Sequence, residues 1–320
     1  LIQHGYEMDF SKQTFGVILY GAPGVGKTTL AMSDGNNGGD TLLIDLEHGI
    51  GRTNPLHRMN CNILSAGTYE EVLKDLETPE AKAAKTIVID TAGSLVDYLK
   101  DWVMRTRPES KTKRGEWYPL KGAAIVNQEI ARFVNRIKNV MGKNVVYIFH
   151  AEEQEKDGEL VWRLRCEGKF KNTVWTGIDF GCLIDMHGGK RIADFDPNDK
   201  PAKGCHGIEG KIEIPKLDET TKNDFLQKLF ETARKNMQAE NAAVTERINT
   251  YNKIIQSVKE MVEGVGDADS ANACMAVIGE MEHALTSKKE CGKILNDKCK
   301  TLGLRFDHQT RAYVPDGDAK

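Results

Sequence analysis

The 320-residue chain has no run approaching the roughly 18 consecutive apolar residues that a membrane-spanning helix needs, so no bilayer crossing and no membrane partner are expected. It has no CxxC pair. Its seven cysteines are odd in number and widely spaced, which favours reduced thiols in a cytoplasm over disulfides. Neither Cys205 with His206 nor Cys291 with Cys299 has the paired spacing of a zinc site. Charge of one sign is also missing: a formal net charge of -3 leaves any binding of nucleic acid to a local patch. Internal repeats and low-complexity tails are absent. What remains, 40% apolar and 28% charged residues, is the composition of a folded globular chain with room for one large domain or two ordinary ones. The chain begins at Leu1 rather than Met, which leaves open an earlier start or a removed leader.

Within that bland composition one stretch is specific. "FGVILYGAPGVGKTTLAM" reads as a short apolar strand, a glycine-rich turn and a helix from Lys27, and Gly21 to Thr28 fits G-x-x-x-x-G-K-[ST] without deviation. The cradle formed by Gly21, Ala22, Pro23, Gly24, Val25, Gly26, Lys27 and Thr28, with Thr29 just beyond, is expected to hold the phosphates of ATP on backbone amides and the start of the helix. Lys27 would reach the β and γ phosphates, and the Thr28 hydroxyl would hold Mg²⁺. By average residue usage the pattern arises by accident in roughly one chain of this length in a hundred. A mere glycine turn explains neither Lys27 nor Thr28.

Carboxylates complete the pattern. In "KTIVIDTAG", Asp90 ends a buried run, where it can bind Mg²⁺ through water; the alternative is a helix-capping aspartate. "TLLIDLEHGI", Thr41 to Ile50, reads as a strand buried on both faces, yet it carries Asp45, Glu47 and His48 at its end. A parallel sheet collects its strand ends on one edge, so the strands finishing at Tyr20, Asp45, Asp90 and Phe149 should surround the same phosphates. Glu47 is placed to orient a water against the γ-phosphate. His48 reads as a structural hydrogen-bonder.

Further apolar runs at "TIVID", "NVVYIF" and "GIDFGCLIDM" alternate with helical stretches such as "AAIVNQEIARFVNRIKNVM", the order of a parallel sheet with helices on both faces. Gly188 and Gly189 predict a hairpin turn, and "DFDPNDKPAKG" a loop. From about Asp218 the strand signals stop. Apolar stripes at Val244, Ile248, Tyr251, Ile255, Val258 and Val262, and at Cys274, Ile278, Met281 and Leu285, predict helices broken near Gly264 and Gly266, with a third near Cys291 to Leu302. The expected division is a core over 1–217 and a helical region over 218–320 that caps the sheet or serves oligomerisation or partner binding.

"LLIDLEHG" is similar to the "IDAEHA" run of the RecA recombinases, and the phosphate loop, the Asp90 strand and His150 follow in RecA-like order. Over roughly residues 12 to 215 the chain resembles the phage-encoded RecA-like ATPases of the Sak type, single-strand annealing and recombination proteins; the tail "LGLRFDHQTRAYV" is reminiscent of the same group. The resemblance implies an α/β RecA-like P-loop core with a C-terminal helical region. It also implies Mg²⁺-dependent ATP hydrolysis with Glu47 as the catalytic carboxylate, and His150 as a sensor of the γ-phosphate where RecA itself has glutamine. It implies a homo-oligomeric ring or filament in which a basic residue of a neighbouring copy, Lys203 or Arg191, completes the site. The implied partner is single-stranded DNA, with a single-strand binding protein as a further candidate.

Two segments could meet DNA. The first, Arg105 to Lys121, sets Arg105, Arg107, Lys111, Lys113, Arg114 and Lys121 against Glu109 and Glu116, with Trp117 and Tyr118 as stacking platforms. The second, "VWRLRCEGKFKNTVW", alternates along an expected strand, with Arg163 and Arg165 facing opposite to Trp162, Leu164 and Cys166. Solvated charge is the alternative for both. Other functions weighed are a motor or loader acting on a partner protein in DNA replication, a small-molecule phosphotransferase, for which no arginine-rich lid is evident, and a nucleotide-gated scaffold, against which Glu47 speaks.

Overall fold

In chain order the elements are β1 (Gly16–Gly21), α1 (Lys27–Ala31), β2 (Thr41–Asp45), β3 (Cys61–Leu64), α2 (Tyr69–Asp75), α3 (Pro79–Ala83), β4 (Thr86–Asp90), α4 (Ala92–Thr106), α5 (Pro119–Asn135), β5 (Asn144–Lys156), β6 (Glu159–Leu164), α6 (Phe170–Gly177), β7 (Phe180–His187), β8 (Lys190–Asp194), β9 (Lys211–Ile214), α7 (Phe225–Glu263), α8 (Ala268–Glu280), α9 (Ser287–Thr301), β10 (Leu304–Asp307) and β11 (Ala312–Pro315). This computed structural model describes residues 8–34, 40–58, 61–156, 159–166, 170–196, 201–218 and 221–316. They fall into two units, Phe10–Asn236 and Met237–Lys320 together with the N-terminal Leu1–Asp9.

The first unit is built on one sheet in the order β3-β2-β4-β5-β1-β7-β8-β9, with β6 paired to β5. Strands from β3 to β7 along this order run parallel, and β8 and β9 add antiparallel at one edge. Every residue of β1, β2 and β4 is buried, because both faces of the sheet are covered, and an all-apolar strand is the sequence that tolerates this. Ile18, Tyr20, Ile44, Ile89 and Tyr147 point into one core with Tyr69 of α2, Leu99 of α4, Phe133 of α5 and Val174 of α6. Side chains alternate across a strand, so the equally buried Val17, Leu19, Leu43, Val88 and Val146 face the other layer. Here Phe15 meets Phe180 and Phe230, with ring centroids 5.3 and 5.4 Å away. The fold is the α/β, mainly parallel architecture read from the sequence. In this order β5 separates the strand that leads into the phosphate loop from the strand that ends in Asp90.

Two details differ from the sequence reading. β5 does not stop at Phe149 but runs on to Lys156, leaving the parallel sheet after His150 and pairing antiparallel with β6. The second basic segment is a strand only as far as Leu164; Phe170–Gly177 is helical, and residues 167–169 between them lie outside the described residues. Of the expected loop over 194–204, residues 197–200 also lie outside them. The Gly188–Gly189 turn is present, both residues at positive φ (58° and 80°), and joins β7 to β8.

The second unit packs Val258 and Val262 of α7, Cys274 and Ile278 of α8, and Cys291, Leu295 and Cys299 of α9 around one small core. Asp267 and Ser270 cap the start of α8 reciprocally, which fixes where the helix begins after the Gly264 and Gly266 break. The stripe on α7 packs on this core from Ile254 onward, while Val244 is 47% exposed. Strands do occur after Asp218, against the sequence reading. β10 and β11 form a hairpin whose Leu304 and Tyr313 close the core and whose Tyr313 backbone exchanges hydrogen bonds with the Asn272 side chain. Strands of four residues show too few alternations to register as a period. Residues 218 and 221–236 belong to the first unit, so the units divide at Asn236. No helix among the described residues is long and apolar enough to cross a membrane, and no disulfide joins any of the seven cysteines.

Candidate functional site

The phosphate loop occupies the turn between β1 and α1. Gly24 and Gly26 adopt φ of 81° and 89°, the left-handed region that side chains disfavour, whereas Gly21 is required by proximity: a Cβ there would lie 2.4 Å from the carbonyl oxygen of Ile184 on β7. Helix α1 is only five residues long before it tightens into a 3₁₀ turn over Met32–Asp34. Lys27 is buried, and its ammonium donates to the carbonyls of Gly21 (2.9 Å) and Ala22 (2.8 Å). Burial lowers its pKa, against the opposing pull of the Asp90 and Glu47 carboxylates. The ammonium is thus folded back on its own loop.

Thr28 donates its hydroxyl to Asp90 Oδ2 at 2.6 Å, so the loop and the end of β4 meet directly. Asp90 is buried and its pKa is raised, first by desolvation, with the Asp45 and Glu47 charges adding to it and the Thr28 hydrogen bond and Lys27 opposing. The Asp90–Thr91 peptide is cis. Asp45, the first of the two carboxylates that end the Thr41–Ile50 stretch, has another use. It accepts the backbone amides of Gly49 and Ile50, both at 3.0 Å, and so fixes the turn that follows β2. His48 is exposed and sits in that turn at φ 52°.

Glu47 is held by three donors. Thr91 Oγ1 donates to its Oε1 at 2.7 Å and Ser94 Oγ at 3.0 Å, while His150 Nε2 lies 3.2 Å from Oε2. Burial alone would raise the Glu47 pKa, but the hydrogen bonds from Thr91, His150 and Ser94 outweigh it and hold the carboxyl below its ordinary range. Thr91 serves twice, since its hydroxyl also accepts the Ser94 amide as the N-cap of α4. His150 Nδ1 is buried without a hydrogen-bond partner. Beside this cluster opens a cleft of about 510 Å³ lined by Glu47, Thr91, Ser94, Asp97, His150, Glu152 and Arg165, among others.

Lys27, Thr28, Glu47, Asp90 and His150 therefore come together at one edge of the sheet, where the ends of β1, β2 and β4 meet the middle of β5. Thr91 and Ser94 were not singled out from the sequence. The available signal was the hydroxyls directly after Asp90 in "IDTAGS". Arg191, a candidate for reaching another copy's site, lies over the loop of its own chain: a Cβ on Gly26 would sit 3.0 Å from its Cζ. Lys203 donates to the Ile178 carbonyl and pairs its backbone with Gly181.

The expected nucleic-acid contacts are scattered. Arg105 makes a bidentate pair with Glu70 and a third bond to Asp101. Arg107 stacks 5.4 Å over the centroid of Trp102 and Lys121 lies 5.8 Å over that of Tyr118. Trp117 covers Gly122 and packs on the core, so its ring is engaged in the fold. Lys113 and Arg114 are exposed on the turn between the bridged Lys111 and Trp117. Trp162, Leu164 and Cys166 face the core as the alternation requires, while Arg165 lines the cleft beside Glu47 and Arg163 lines a separate one of about 470 Å³ with Lys171 and Trp175.

The sequence profile of the AAA domain family matches residues 14–204. No curated protein matches the chain. Among solved structures, a KaiC-like protein from the hyperthermophilic archaeon Pyrococcus horikoshii OT3 is 15% identical, with 63% of this chain and 89% of that one covered and a TM-score of 0.37.

Proposed function

The chain belongs to the AAA domain family, and on that premise we propose that it is an ATP-driven recombination protein, phage-encoded, that assembles with copies of itself on single-stranded DNA and promotes annealing or strand exchange. Family and phosphate loop make it a P-loop ATPase; the DNA, the assembly and the roles of individual residues are the proposed part. One observation carries the hydrolytic reading. Thr28 and Asp90 meet at 2.6 Å while Glu47, anchored on Thr91, Ser94 and His150, stands next to them with its carboxyl ionised.

Thr28 and Asp90 present hard oxygen donors of the kind Mg²⁺ takes. Bound there with the nucleotide, Mg²⁺ would offset the negative charge that develops on the transferring phosphoryl group. Lys27 leaves the Gly21 and Ala22 carbonyls to meet the phosphates. Glu47 orients the attacking water and takes its proton. His150, bonded to Glu47 through Nε2, couples the terminal phosphate to that carboxylate.

Steady-state ATP turnover, measured with and without single-stranded DNA at low salt, tests the proposal. Stimulation by DNA is expected; DNA that neither binds nor stimulates would refute the recombination role. A second reading, a motor or loader acting on a partner protein in DNA replication, is favoured by the engagement of Arg105 and Trp117 in the fold. Turnover that responds to a protein partner and not to DNA would select it.

A further inference from the structure

Arg191 stands in β8 two residues beyond the Gly188–Gly189 turn, its backbone paired with Met186 of β7 on one side and Ile214 of β9 on the other. From that fixed position its guanidinium packs over the phosphate loop. A Cβ built on Gly26 would lie 3.0 Å from Cζ, 3.2 Å from Nη2 and 3.3 Å from Nη1, so the cation lies in close contact with the loop at residue 26. Nε is out of solvent with no hydrogen-bond partner, and no carboxylate pairs with the guanidinium among the described residues.

Asp185 and Glu213, which the strand register places on the opposite face of the hairpin from Arg191, have other partners. Asp185 accepts the Met186 amide and lies 3.6 Å from His187, and Glu213 pairs with Lys190. A guanidinium donor withdrawn from water without an acceptor is costly, and an oxygen arriving at the loop would relieve that cost. An anion seated on the amides around Gly26 is such an acceptor, and the planar fork of an arginine suits phosphate oxygens.

We propose that Arg191 is a polyphosphate-binding residue acting in cis: it contacts the phosphates of the nucleotide held by the loop of its own chain, and each copy carries its own arginine rather than borrowing it. The proposal rests on the reading that this loop binds ATP, and it separates this chain from an assembly whose Arg191 serves a neighbour.

Titrations of a fluorescent ATP analogue with Mg²⁺, displaced by inorganic tripolyphosphate, test it on the wild type, Arg191→Ala and Arg191→Lys. Expected are affinities weaker by about tenfold or more for nucleotide and tripolyphosphate alike in Arg191→Ala, with partial recovery in Arg191→Lys. Unchanged thermal unfolding of the nucleotide-free variants would exclude a purely structural effect. Wild-type-like affinity in Arg191→Ala overturns the proposal alone, whereas a wild type that binds no MgATP overturns the nucleotide reading with it. Mixing Arg191→Ala with Lys27→Ala tests the cis assignment: no recovery of ATP turnover is expected. Recovery in the mixture would show that the arginine crosses between copies, and would refute it.

Discussion

Replacing Glu47 by glutamine changes one atom and removes the proposed proton acceptor. In the structure Oε1 receives two hydroxyls, at 2.7 and 3.0 Å, and Oε2 faces His150 at 3.2 Å. The amide keeps the volume and one acceptor oxygen, which can stay on Thr91 and Ser94, so the fold and the nucleotide affinity should survive. General-base assistance contributes about 10²–10⁴-fold to a rate. The three donors keep the Glu47 pKa low and hence its basicity modest, which places the expected loss in the lower half of that span, about 10²–10³-fold in kcat or roughly 2.7–4 kcal/mol of activation free energy. The assay is single-turnover ATP hydrolysis beside equilibrium nucleotide binding. Turnover within a fewfold of wild type, with binding intact, would show that another group handles the water. A parallel loss of binding and turnover would show that Glu47 is a structural anchor.

Thr91→Val removes the first-named donor to Glu47 and the cap of α4: the folded-state pKa of Glu47 rises, so the acid limb of the kcat–pH profile should move to higher pH, and stability should fall by about 0.5–2 kcal/mol in denaturant unfolding. Asp90→Asn should abolish Mg²⁺-dependent turnover yet raise the thermal midpoint of the nucleotide-free protein. A carboxyl whose folded pKa is raised weakens the fold as pH climbs through that pKa, and near neutral pH each 1 kcal/mol regained is worth about 2–4 °C. A lowered midpoint would show that the Thr28 bond outweighs the desolvation. Gly21→Ala should cost about 1–3 kcal/mol or more by calorimetry, since its Cβ would meet a backbone oxygen of β7 that cannot turn aside.

The strands that surround the site were legible because they are buried on both faces, which favours an unbroken apolar run, closed by an aspartate in β2 and β4 and by a glycine in β1. The half-buried edge strand β3 and the four-residue β9, β10 and β11 were not, since they offer neither a long run nor a long alternation. Within the site, Glu47 and Asp90 could be placed by their distance past an apolar run. Asp45 could not be told apart from them, because its partners are amides four and five residues further on. Thr91 and Ser94 escaped notice because their carboxylate partner is 44 and 47 residues away in the chain. Arg191 reaches Gly26 only through the β7–β8 hairpin and the pairing of β7 with β1, a path that no local pattern encodes.

The most direct measurement is a structure of the assembled protein with Mg²⁺ and a non-hydrolysable ATP analogue. Lys27 should have left the Gly21 and Ala22 carbonyls for the phosphates, and a Glu47 oxygen should lie within hydrogen-bonding distance of a water in line with the terminal phosphorus. A Glu47 carboxyl turned away from that phosphate in every copy would contradict the account.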